Sequence, residues 1–194
     1  MQNEISKLVR KQTWDIVDAP PDTNIIGSRW TYHLKRDVHG AIMHYKACLV
    51  AQGFTQTLGI DYNETFAPVS KFASTHVILA LAAIHDWEVD QVDVKNTYLN
   101  VELTETVYMA QPPGFIKAGH EGKVCRLLKA LYGLKQGGRC WYLCICEAFA
   151  KFRYMCCQVK HCVFYKATEG STIIVIVAVD NLTLASNSPP LLLA

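Results

Sequence analysis

The chain of 194 residues is 51% hydrophobic and 19% charged, with a formal net charge of +2 at neutral pH. That apolar content excludes an intrinsically disordered polymer, and the length suits one domain with a sizeable core or two subdomains sharing one. The charge is too small to argue for nucleic acid by itself, so any phosphate-binding surface must come from local clustering.

Residues 1–12 read as a short polar helix, and MQNEISKLVRKQ lacks the apolar core of a signal peptide. TWDIVDAPPDTNIIG follows as an extended connector, held open by Pro20-Pro21 and Gly27. SRWTYHLKR and AIMHYKACLVAQGF are β-rich runs around Asp37-Val38-His39-Gly40, a hairpin signal in which Gly40 can supply a positive φ. Lys46 and Cys48, two apart, share a strand face. GIDYNETFAPVS is a loop, and KFASTHVILALAAIHDW predicts a core helix with Val77, Ala80, Leu81 and Ile84 on its buried stripe. Trp87, Val89, Val92 and Val94 then alternate roughly as a strand ending at Asp93.

VYMAQPPGF is a short strand stopped by its Pro-Pro-Gly, and KVCRLLKALYGLKQGGRCWYLCICEAFAKFRY predicts two helical stretches broken at Gly137-Gly138. HCVFYKA and STIIVIVAVDNLTLAS give three short strands, with a turn at Asp180-Asn181. The hairpin near 173–185 is expected to present an open edge. Its apolar run at 173–179 is too short to span a bilayer. Strand and helix patterns mix in one α+β body, and the chain reads as soluble and intracellular, neither secreted nor membrane-bound. The eight cysteines include no Cys-x-x-Cys pair and no matching histidine pair, so they read as free, mostly buried thiols rather than a zinc site.

Two places are expected to hold carboxylates at the tips of buried strands: Asp93, and Asp180 beside Asn181. Two such acids could gather around a hard cation that prefers oxygen ligands and keeps positions open for phosphate. Spacing alone favours a plain turn over the metal reading.

YKACLVAQGFTQTLGIDYNETFAPVSKF, WEVDQVDVKNTYLN, VYMAQPPGF, VCRLLKALYGLKQ and AVDNLTLAS occur in this order. Together they closely resemble the reverse transcriptase domain of copia-type LTR retrotransposon polyproteins, from Trp14 to about Ser186. The resemblance implies the fingers and a partial palm of a right-hand polymerase, an RNA-directed DNA polymerase using magnesium or manganese. It implies 1–27 as an N-terminal helix and connector, 28–186 as the fingers–palm domain, and 187–194 as a truncated tail with the thumb absent. By motif, Asp93 and Asp180 are the catalytic metal ligands, with Asn181 a degenerate third position. Lys46, Tyr98 and Gln136 match nucleotide-binding positions, Tyr98 as the aromatic under the incoming sugar. Lys135 and Arg139 fall in segments used near nucleic acid. The implied partners are an RNA or DNA template-primer, deoxynucleoside triphosphates and other parts of such a polyprotein. The implied compartment is the cytoplasm, in a virus-like particle, or the nucleus.

This copy departs from the family pattern. Ala178-Val179-Asp180-Asn181 stands where the hairpin reads Tyr-Val-Asp-Asp, and Cys48 stands where an Arg would bind phosphate bidentately. Val101 replaces a turn glycine and is expected to be strained. Gly137-Gly138 replaces Ala-Pro and loosens the following helix. The departures predict a chain that does not polymerise by itself. The alternatives are a non-catalytic nucleic-acid-binding remnant and an open reading frame without selected function.

Overall fold

The structure is a computed structural model that describes residues 1–192; the last two positions of the 187–194 tail lie outside the described residues. The chain divides into two compact units, one of residues 1–65 and 98–140, the other of residues 66–97 and 141–194. The mixed α and β content agrees with the α+β expectation.

In the first unit, α1 (Gln2–Arg10) leads into a four-stranded sheet ordered β1-β7-β6-β2, with β1 Trp14–Val17, β2 Ile25–Ile26, β6 Glu102–Ala110 and β7 Val124–Lys129. The stretch read as an extended connector thus supplies two strands, β1 antiparallel to β7 and β2 parallel to β6. β7 corrects the helix predicted over KVCRLLK. Six residues are too short for periodicity to separate a strand from a buried helix, and pairing on both edges decides for the strand. The core gathers Leu8, Ile26, Leu49, Val107, Met109, Cys125, Leu127 and Leu131.

β3 (Ser28–Arg36) and β4 (Ile42–Ala51) form the expected hairpin, with Gly40 at φ 85° in its loop. After β4 the backbone packs closely on the loop before α3 (Gly137–Lys151). Ala51 N–H donates to the Tyr132 carbonyl at 2.8 Å, and a Cβ built on Gly133 (φ +92°) would lie 2.1 Å from the Ala51 carbonyl oxygen. Only glycine satisfies both the positive φ and that approach. Val101 is not strained: it has no positive φ, is buried, and closes a turn by donating to the Tyr98 carbonyl.

In the second unit, α2 (Phe72–Ile84) lies with a five-stranded sheet ordered β5-β11-β10-β9-β8. Its strands are β5 Glu88–Asp93, β8 Met155–Cys156, β9 Val163–Thr168, β10 Ser171–Ala178 and β11 Asn181–Ser186. The predicted stripe of α2 is corrected: Val77 and Ile84 are exposed, and Ile78 and Ala82 are the buried pair that packs with Ile176 and Ala185. A helix apolar on every side gives its sequence no means of choosing a face. The β10–β11 hairpin has no open edge, since β9 pairs with one side and β5 with the other. β5 is instead an edge strand, as β8 is on the other side, and it is exposed along its whole length, so only one of the two acid-bearing strand systems is buried. The tail forms a short helix, α4, over Pro189–Leu192.

Candidate active site

In the second unit the two expected strand tips meet. β5 runs antiparallel to β11 with Asp93 directly opposite Asn181, and the Val94 N–H donates to the Asp180 carbonyl at 2.7 Å. Opposed residues of an antiparallel pair project to the same face, so the Asn181 side chain flanks Asp93. The turn between β10 and β11 is Val179-Asp180, closed by the Ala178–Asn181 pair, one residue earlier than the Asp180-Asn181 turn expected. Val179 has φ 57°, a left-handed conformation that a β-branched residue rarely takes. The Trp141 indole N–H donates to its carbonyl at 2.7 Å. The Asn181 amide donates to Asp180 Oδ1 at 3.2 Å, and the Gln91 amide donates to Asn181 Oδ1 at 3.4 Å.

Asp93 and Asp180 carry carboxylate oxygens, the donor type that a hard divalent cation takes, at the ends of neighbouring strands. A carboxylate at 181 would be a third hard anionic ligand. The amide instead spends its N–H on Asp180. Among the described residues no group of three or more His, Cys, Asp or Glu is placed to hold a metal ion. Asp93 and Asp180 are the two carboxylates that these strand ends supply.

The other expected residues lie in the first unit. Gln136 is buried and engaged at both ends of its amide. Its Nε2 donates to the Asp61 carbonyl at 3.0 Å, and its Oε1 accepts from Gln56 Nε2 at 3.0 Å. Gln56 also accepts from the Lys135 backbone N–H at 2.8 Å. The Lys135 ammonium donates to the Gln56 carbonyl at 3.1 Å and to Tyr62 Oη at 3.3 Å, and sits 4.9 Å from the centre of the Tyr62 ring. Asp61, itself buried, accepts at Oδ2 from Asn24 and from the Thr57 N–H. Arg139 is ion-paired with Glu64. The motif holding Lys135 and Gln136 is thus fastened to the 56–64 loop through amides rather than left free.

Tyr98 stacks edge-on against Tyr132, with ring centroids 4.7 Å apart, and a Cβ at Gly137 would touch its ring at 3.5 Å. Lys46 is exposed opposite His33 on β3. The same hairpin face carries exposed Arg29, Lys35 and His44, and neither strand contains an acid. Cys48, half-buried, lies on that face two residues from Lys46.

The sequence reading missed Gln56, Asp61, Tyr62 and Trp141. The contacts that tie them to Gln136, Lys135 and Val179 span 38 to 80 positions, and no local pattern announces them. The one hint was that GIDYNETFAPVS holds an acid and aromatics in a loop with no periodicity of its own.

Paired strands that present carboxylates at their tips, on a mixed α/β scaffold, are the arrangement expected of a cation-dependent phosphoryl-transfer protein. A family described as reverse transcriptase (RNA-dependent DNA polymerase) matches residues 11–192. The chain belongs to that family, as a reverse transcriptase domain of copia-type retrotransposon Pol polyproteins. It is 39% identical over 193 residues to the Retrovirus-related Pol polyprotein from transposon RE1 of Arabidopsis thaliana, covering 99% of this chain and 13% of that protein. It is 38% identical, over 99% of its length, to the corresponding polyproteins from transposon RE2 of Arabidopsis thaliana and transposon TNT 1-94 of Nicotiana tabacum. It spans 13% of the first of these relatives, 13% of the second and 14% of the third. No helix among the described residues is long and apolar enough to cross a membrane.

Proposed function

We propose that residues 28–186 are the fingers and palm portions of a copia-type reverse transcriptase, an RNA-directed DNA polymerase by descent whose chemistry is impaired in this chain. The observation that carries the reading is the register of β11 on β5, which sets Asn181 against Asp93 with Asp180 tethered through Val94. Asp93 and Asp180 are the residues that would hold magnesium or manganese. The bound cation would neutralise developing charge on a transferring phosphoryl group. Lys46 and Tyr98 are assigned to the nucleotide by their motif positions. Gln136 matches a nucleotide-binding position by its motif, and each end of its amide also makes one hydrogen bond to the 56–61 stretch. RNA or DNA template-primer and deoxynucleoside triphosphates are the partners of this reading, with an intracellular site of action.

The test is primer extension on an RNA template, alongside calorimetric manganese binding by the chain and by Asn181→Asp. The expected result is no extension by the chain as it stands, and tighter manganese binding by Asn181→Asp, because affinity for a hard cation rises with the number of charged ligands. Extension by the unaltered chain that is abolished by Asp93→Asn would overturn the impairment. Equal and negligible manganese binding by both proteins would overturn the cation site.

A second reading, a non-catalytic nucleic-acid-binding remnant, is favoured by one observation: the acid-free hairpin face of Arg29, His33, Lys35, His44 and Lys46. It predicts oligonucleotide binding that weakens steeply with salt and persists in Asp93→Asn.

A further inference from the structure

We propose that Trp141 is a positioning residue for the carboxylate turn, fixing the direction in which Asp180 presents its side chain. The functional meaning of this inference rests on reading Asp93 and Asp180 as cation ligands; its structural content does not. Trp141 lies near the start of α3 and is 7% exposed. An indole has one hydrogen-bond donor, and Trp141 spends it at 2.7 Å on the Val179 carbonyl. That carbonyl stands at the tip of a two-residue hairpin loop, outside the β10–β11 ladder.

The geometry of the turn shows what the bond does. The Val179 carbonyl belongs to the peptide unit before Asp180, and the Asp180 carbonyl to the unit after it. The first is gripped by Trp141, the second by the Val94 N–H at 2.7 Å. With the peptide planes on both sides held, φ and ψ of Asp180 are fixed, and with them its Cα–Cβ direction. The second grip comes from the residue next to Asp93, so the two candidate ligands are tied through one backbone contact.

The turn also needs holding. Val179 sits at φ 57°, a conformation that disfavours a β-branched residue and persists only when its surroundings over-determine it. Without the indole, Val179 can relax toward a negative φ and rotate the peptide plane that aims Asp180. A glycine at 179 takes positive φ without strain, so the same turn would then stand without the tether.

The experiment uses the full chain and three variants: Trp141→Phe, which keeps an aromatic ring in place but removes the N–H; Trp141→Phe with Val179→Gly; and Ile145→Val, a mild change at another buried α3 position. Manganese affinity is read by calorimetry, and the amide resonances and couplings of Val179, Asp180 and Asn181 by NMR without metal. The expected result is an affinity loss of about tenfold in Trp141→Phe, of the size typical for removing a hydrogen bond that orients a ligand. Shifts centred on Val179–Asn181 should accompany it, with recovery of affinity in the double variant and no such shifts in Ile145→Val. Trp141→Phe with unchanged turn resonances and unchanged affinity overturns the proposal. So do shifts equally large in Ile145→Val, which would make Trp141 an ordinary core residue. If the parent chain binds no manganese, the cation reading fails, and the metal-free resonances alone decide whether Trp141 holds the turn.

Discussion

Replacing Gly137 by alanine should stabilise the protein. Gly137 is buried at the first position of α3 and is absent from the glycines with positive φ, so a side chain is compatible with its backbone. A Cβ built there lies 3.5 Å from Tyr98 Cδ1 and Cε1 and 3.6 Å from the Leu131 carbonyl oxygen, ordinary van der Waals distances with nothing closer. Two effects add. The helix-propensity difference between Gly and Ala is about 1 kcal/mol in a helix interior, and we take roughly half of that at the first turn. A buried methyl against an aromatic ring contributes about 0.8 kcal/mol. The sum is about 1.3 kcal/mol, which at a urea dependence of about 2 kcal/mol per molar moves the unfolding midpoint up by roughly 0.6 M with an unchanged slope. Urea titration followed by circular dichroism measures it. A midpoint below that of the parent would refute the reasoning, because it would mean that Tyr98 cannot accept a neighbouring methyl where the geometry leaves room for one.

Two other outcomes follow from buried groups. Gln136→Leu takes the partner from the Gln56 Nε2–H and from the Asp61 carbonyl in the interior, so it should destabilise by about 2–4 kcal/mol in the same urea titration. Burial pushes the Cys125 thiol up to about 12 from the ordinary 9.0. The folded state therefore keeps a proton that the unfolded chain releases, so this stability is fully present below pH 9 and is lost as pH rises toward 12. Cys125→Val should flatten the alkaline fall in unfolding free energy by about 1.4 kcal/mol per pH unit in that window.

What the sequence made legible is what chemistry enforces locally. The Asp37–Gly40 loop had a glycine where the chain needs positive φ, and the β10–β11 hairpin was an apolar run too polar at one point to continue. Acids at two strand ends raised the meeting of the Asp93 and Asp180 strand systems, but not the register that sets Asn181 opposite Asp93. Three things were not legible. VCRLLK has no period long enough to distinguish helix from strand, and only its two neighbours make it β7. α2 is apolar on every face, so its buried side is set by Ile176 and Ala185, not by its own pattern. The third is the set of hydrogen bonds that the Gln136 amide makes. One of them reaches Gln56, 80 positions away.

The strand that ends in Asp93 is also the rim of its sheet. A rim offers unspent N–H and C=O groups to any extended segment that drifts past, and Val89 and Val92 would welcome one. Glu88, Asp90 and Asp93 fence that border with negative charge, so one candidate metal ligand also guards solubility. Deleting it by Asp93→Ala would breach the fence as well as the site. A preparation that lost manganese binding through self-association would then pass for one that lost a ligand. Asp93→Asn, which keeps a polar group at the rim, checked for monodispersity by light scattering, keeps those two failures apart.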